Sequence, residues 1–310
     1  MCGIGGFFYK NGDTDVPLGT RLFSMASVLG SRGLDSTGMA LYGVLPSNHI
    51  VLRVHLESNQ FNVDADLESI IDSMTSRLRK LSSIYDVNYI GNILRIELDG
   101  IEDNANIEYM SKITEAIEES GTELFSIGKS MEIIKDVGPA IQLEDYGIHD
   151  FKGSHGLTHT RLATESRVDI CYSHPFWARP FPDIAVVHNG QLTNHNTLRR
   201  SLQRRGYQFS TTNDSEVIAV FIADQLLAGL TLQDSLKASI EELDGTFTYL
   251  ISTEDGIGFA KDRFSTKPLI VAENKSFVAL ASEEVALNSM ISSDTDLYEP
   301  TASSVKTWHR

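Results

Sequence analysis

Cysteine is scarce in this 310-residue sequence: there are two, Cys2 and Cys171. Two thiols are too few for a disulfide framework, and they lack any C-x-x-C spacing for a zinc or iron–sulfur site. A reducing, cytoplasmic home is the expectation. Positive charge is also short, with 26 Lys and Arg against 42 Asp and Glu and a net charge of -16. Such a balance argues against binding nucleic acid or an anionic membrane surface. The one basic cluster, "LRRSLQRRG" at 198–206, reads as a solvated helix end. No apolar run is long enough to span a bilayer, and no basic segment precedes "GIGGFFY" as a signal peptide requires. Repeats, low-complexity tracts and a Pro/Gly linker are missing too.

What is present alternates between two textures. Residues 3–9 and 37–45 read as strands around a helix near 18–30. From "HIVLRVHL" (49–56) onward the pattern changes. Leu67, Ile70, Ile71, Met74, Leu78 and Leu81 recur at helical spacing, as do Ile107, Met110, Ile113 and Ile117, with strand-like "NYIGNILRIEL" between them. After 150 strands return, with helices expected over 193–206, 215–229 and 232–243 and then a series of short strands. Short strands around a central helical pair predict face-to-face sheets with helices outside.

Two short motifs are decoys. "IGKS" (127–130) lacks the glycine of a phosphate loop, since position 123 is Glu123, and reads as a turn. His155 and His159 lack the glutamate of a zinc-protease helix, so no metal site is expected and packing or surface histidines are the better reading.

The opening "MCGIGGF" is different. If Met1 is removed, Cys2 carries a thiol and a free α-amine on one carbon. Only the thiolate is nucleophilic, and a reference thiol pKa of about 8.5 leaves little of it at neutral pH. An α-amine, with a reference pKa of about 7.7 to 8.0, can take that proton without help from a second residue. Cys2 can then be nucleophile and general base at once, although a cysteine here can equally begin a buried strand.

Further motifs follow in order: "SRGLDSTG" (31–38), "THTRLAT" (158–164), "VVHNGQLTN" (186–194), "TNDSEVI" (212–218), "DGTFTYL" (244–250) and "AKDRFSTKPL" (260–269). Taken singly, Arg161 could be a surface ion pair, Asn189-Gly190 a hairpin turn and Asp214 a helix cap. Together with Cys2 they resemble the class II glutamine amidotransferases, over about 1–47 and 151–290.

That resemblance implies an α+β fold, a four-layer αββα sandwich of antiparallel sheets of the N-terminal nucleophile hydrolase type. It also implies that Cys2 attacks the side-chain amide of glutamine, forms a γ-glutamyl thioester and expels ammonia. Asn189 and the N–H of Gly190 would form the oxyanion hole, where one donor is worth about 3 to 4 kcal/mol. Arg161 would grip the substrate α-carboxylate, Asp214 the α-ammonium, and Thr164 would add a polar contact. Arg32 and Asp35 would hold the loop near Cys2, where Leu34 replaces the family's proline.

The gap between the "RGLDSTG" and "TRLAT" motifs is far longer than in the commonest members of that family, too long for an unstructured loop. Residues 48–150 are therefore expected to be an inserted α+β subdomain, with 1–47 and 151–310 forming the amidotransferase domain. Such an insertion resembles the stand-alone amidotransferase subunits of glutamate-synthase-like systems, including N-methylglutamate synthase. Little sequence follows the last motif, so the ammonia acceptor is expected on a partner synthase or transferase subunit. No cofactor is expected in this chain; FMN or an iron–sulfur cluster would belong to the partner. The alternatives are an independent N-terminal-nucleophile amidase, against which the Arg161/Asp214 pair argues, and a silent regulatory subunit.

Overall fold

The computed structural model describes residues 2–11, 16–46, 48–56, 67–100, 107–163 and 168–310. Among them, two antiparallel sheets stack face to face. The larger has seven strands, and its centre is β1 (Gly3–Tyr9). β1 is flanked on one side by β8 (His155–Arg161), β2 (Ser36–Tyr42) and β7 (Met131–Val137). On its other side lie β14 (Phe277–Ala281), β13 (Ile270–Glu273) and β15 (Asp296–Tyr298). The second sheet runs in the order β16 (Val305–His309), β12 (Gly256–Lys261), β11 (Gly245–Thr253), β10 (Ala185–Leu192) and β9 (Phe176–Trp177).

β1 and β8 face β10 and β11 across the sandwich. Every residue of β1, β2 and β8 is buried, as strands covered on both faces must be. Helix α1 (Leu18–Leu29) covers the outer face of the large sheet, on β1 and β8. It comes so close that a Cβ on Gly3 would lie 2.9 Å from the Cβ of Leu29. α5 (Asp214–Leu227) and α6 (Leu232–Glu242) cover the second sheet. α5 is buried without interruption from Ser215 to Asp224, so it reads apolar all round rather than along one stripe. Helix, sheet, sheet and helix make the four layers expected from the sequence.

A third, four-stranded sheet stands apart in the order β4 (Ile84–Ile90), β5 (Ile93–Asp99), β3 (His49–His55) and β6 (Glu123–Gly128). α2 (Leu67–Leu78) and α3 (Ile107–Glu118) supply the rest of this unit, burying Met74 and Leu78 of one and Met110, Ile113 and Ile117 of the other. The chain rejoins the large sheet at Met131, where β7 pairs with β2. A charged knot secures the join. Glu132 of β7 accepts from Arg53 of β3 at 2.6 Å and from Arg95 of β5 at 3.2 Å.

One local expectation changes. "LRRSLQRRG" spans α4 (His195–Arg204), but Arg199 is no solvated charge: its guanidinium donates to the carbonyls of Thr211 and Asn213. Of the two readings left open for His155 and His159, packing holds: both are buried in β8. The "IGKS" turn does gather backbone amides like an anion nest. Its occupant is internal, because the N–H groups of Lys129, Ser130 and Met131 all donate to the Asp183 carboxylate at 2.8–2.9 Å.

Candidate active site

Cys2 heads β1, the central strand of the large sheet. The β1–β8 register pairs Gly3 with Thr160 and Ile4 with His159. Continued by one residue, it sets Arg161 opposite Cys2 on the same face of the sheet. The thiol meets the turn after β8: the N–H of Leu162 points at Cys2 Sγ across 3.5 Å.

Two side chains pin the Cys2 carbonyl. Arg32 donates to it through Nε at 2.8 Å and pairs through Nη1 with Glu283 at 2.7 Å. Asn189 donates to it through Nδ2 at 3.1 Å. The amide of Asn189 therefore lies within reach of the thiol, and its second Nδ2 proton remains for another acceptor.

Asn189 and Gly190 are not a hairpin turn. They lie inside β10, paired with Thr248 and Phe247 of β11. Gly190 has φ +138, and a Cβ there would fall 2.0 Å from the carbonyl oxygen of Thr246. Any other residue would push the two strands apart at the site.

Arg161 is buried at the end of β8, where desolvation lowers its pKa from the usual guanidinium value and the charges of Cys2, Asp35 and Asp169 oppose that shift in part. Asp35 ties this corner together: its carboxylate accepts from Ala163 N at 2.7 Å and its own N–H donates to the Arg161 carbonyl at 3.0 Å.

Asp214 is the first residue of α5 but not its cap, which is Asn213, whose side chain accepts from Ser215 N. The Asp214 carboxylate turns toward β10, accepting from Leu192 N at 2.8 Å and lying 3.8 Å from His188 Nδ1. Behind it Glu216 accepts four hydrogen bonds from the backbone and hydroxyls of Ser210 and Thr211, which fix the loop entering the helix.

Cys2 thus immediately precedes β1, Arg161 ends β8, Asn189 and Gly190 lie on β10, and Asp214 opens α5 against β10. Thr164 lies outside the described residues. Motif matching passed over Ser215 and His174, although "DSE" and "SHPF" contain them. Ser215 is buried beside Asp214, and His174 is buried against the Ser215 hydroxyl. Among the described residues no cluster of His, Cys, Asp and Glu could hold a metal ion, and no helix is long and apolar enough to cross a membrane.

Two stacked antiparallel sheets, helices on both outer faces and a cysteine at the head of the central strand are the marks of an N-terminal-nucleophile amidotransferase. A family model described as a glutamine amidotransferase domain matches residues 159–289. A Methanothermobacter thermautotrophicus protein assigned as a glutamine amidotransferase is 36% identical over 296 residues, covering 94% of each chain. GlxB, a glutamine amidotransferase-like protein of Rhizobium meliloti, is 33% identical over 99% of this chain and 98% of its own. The fold also matches a solved B. subtilis glutamine phosphoribosylpyrophosphate amidotransferase, with a TM-score of 0.59 and 17% identity. That match covers 99% of this chain but 49% of the solved one, so this chain spans about half its length. The chain belongs to the class II glutamine amidotransferases.

Proposed function

We propose that this chain is the glutaminase component of a two-part amidotransferase, with Cys2 as nucleophile once Met1 is removed. The observation that supports this reading most is the convergence of Asn189 Nδ2 and the Arg32 guanidinium on the Cys2 carbonyl, which brings Asn189, the proposed oxyanion donor, against the proposed nucleophile's own residue. The α-amine takes the thiol proton and Sγ attacks the side-chain carbonyl carbon of glutamine. Charge developing on the carbonyl oxygen meets Asn189 Nδ2 and the N–H of Gly190. Collapse breaks the C–N bond, the α-ammonium returns its proton to the departing nitrogen, and ammonia leaves a γ-glutamyl thioester. Water, deprotonated by the same amine, then releases glutamate.

Arg161 and Asp214 read the α-carboxylate and the α-ammonium, opposite charges for the two ends of a free amino acid. This pair favours glutamine over an unrelated amide. Thr164 is kept as a further polar contact.

The relatives matched along nearly their whole length are about as long as this chain, whereas the phosphoribosylpyrophosphate amidotransferase chain is about twice as long. This difference favours an acceptor site on a separate synthase or transferase subunit, glutamate-synthase-like and of the kind found in N-methylglutamate synthase, with any FMN or iron–sulfur cluster there. Residues 48–150, read as an inserted subdomain, and a cytoplasmic setting complete the proposal.

The test is a glutaminase assay on Met1-free protein, alone and with the copurifying subunit, followed by intact mass after mixing with glutamine. We expect ammonia release and a mass gain on Cys2 that hydroxylamine removes. Cys2→Ala should abolish both. Unchanged turnover in Cys2→Ala would refute the reading.

A further inference from the structure

Three polar atoms converge on one buried hydroxyl, that of Ser215 in the first turn of α5. His174 Nε2 and His188 Nδ1 each lie 2.9 Å from it, and Asp214 Oδ1 lies 3.3 Å away. A serine hydroxyl has one proton to give and two lone pairs to fill, while an ionised carboxylate only accepts. All three contacts are satisfied in one arrangement: the hydroxyl donates to Asp214, and both imidazoles donate to the hydroxyl. This makes His174 the Nε2–H tautomer and His188 the Nδ1–H tautomer.

The remaining ring nitrogens agree with that assignment. His174 Nδ1 and His188 Nε2 are buried with no hydrogen-bond partner among the described residues, so a second proton on either ring would have no acceptor. His159 completes the cluster, stacked on His174 with ring centroids 3.9 Å apart and its Nε2 3.2 Å from the carbonyl of His188. Burial lowers the pKa of all three rings and keeps them neutral. Because both lone pairs of the Ser215 oxygen are filled by ring donors, the hydroxyl has no alternative direction. Its proton is held on Asp214.

We propose that Ser215 is a positioning residue for amino-acid recognition: its hydroxyl, directed by two neutral imidazoles, sets the orientation in which Asp214 meets the α-ammonium of glutamine. The inference rests on the reading of Asp214 given above. Leu192 N holds Oδ2 and Ser215 holds Oδ1, so the carboxylate is fixed from both sides. Interactions with the α-ammonium are the same in substrate and transition state, so misplacing the carboxylate raises KM and spares kcat.

The experiment compares L-glutamine with glutaramate, the same molecule without its α-amine, in wild type, Ser215→Ala and Asp214→Asn. For Ser215→Ala we expect KM for glutamine to rise about tenfold with kcat within twofold, while kcat/KM for glutaramate stays within twofold. The preference for glutamine should collapse in both variants. Ser215→Thr, which keeps the hydroxyl, should restore it. If Ser215→Ala does not fold, Ser215→Cys, with its weaker donor, carries the same comparison. Dissociation constants of both ligands in a Cys2→Ala background give the ratio without turnover. A preserved preference in Ser215→Ala beside a lost one in Asp214→Asn overturns the role of Ser215 alone. A preserved preference in Asp214→Asn refutes the reading of Asp214, and the role of Ser215 falls with it. Equal losses on both ligands in Ser215→Ala would mark a purely structural role and also overturn the proposal.

Discussion

Asn189 and Gly190 show how a residue pair can carry the signal of one local shape and adopt another. Asn-Gly is the strongest short hairpin signal in a sequence. Here the pair stays within β10, because a glycine at φ +138 lets the strand press against Thr246 of β11. The sequence alone distinguishes the two outcomes only through Cys2 and Arg161, residues far away in the chain. If Asn189 is an oxyanion donor, Asn189→Ala should lower kcat for glutamine hydrolysis by about 10² to 10³, with KM changed much less. Steady-state kinetics on Met1-free protein checks this. The histidine cluster escaped detection for the opposite reason: His159, His174 and His188 come from separate strands and loops, and no spacing between them predicts that they stack.

At the level of elements, helical periodicity located α2 and α3, although the α2 pattern ran on to Leu81, three residues past the helix end at Leu78. α5 was visible from its apolar run, but not the anchor at its start. Glu216 is buried and receives four hydrogen bonds from Ser210 and Thr211, a contact set that no helix-cap rule describes. Glu216→Ala would leave those donors without their acceptor and loosen the loop leading into Asp214. We expect a loss of about 3 kcal/mol in unfolding free energy, measurable by urea denaturation. The return from the four-stranded sheet was harder to read. "LFSIGKSMEIIKDVG" looks like one strand-rich stretch, and the point where it passes from the four-stranded to the seven-stranded sheet is set by Asp183 filling the turn from a distant loop.

At the scale of the whole molecule, the sandwich holds several histidines in its dry interior. Burial pushes His155 and His159 down to about 3, and lowers His174 and His188. The unfolded chain binds protons at these positions near the reference value of about 6.5, whereas the folded chain does not. Their contribution is therefore intact above about pH 6.5 and is lost progressively as pH falls from there toward about 3, by up to about 1.4 kcal/mol per pH unit for each ring. Thermal melts should show Tm falling steadily from pH 7 to pH 5 with proton uptake on unfolding. A flat Tm across that range would contradict the neutral, buried assignment.

β1 is hydrogen-bonded on both flanks, to β8 from Gly3 and to β14 from Gly5. A strand clamped in this way cannot slide to absorb an extra residue at its head, since a slip of one position would turn Ile4 and Phe8 to the wrong faces. If Cys2 is the nucleophile, whether its thiol has a free α-amine beside it would thus be decided by methionine excision rather than by folding. On the proposed mechanism a newly made chain would assemble its full sandwich while still inert, and loss of the single residue ahead of Cys2 would arm it.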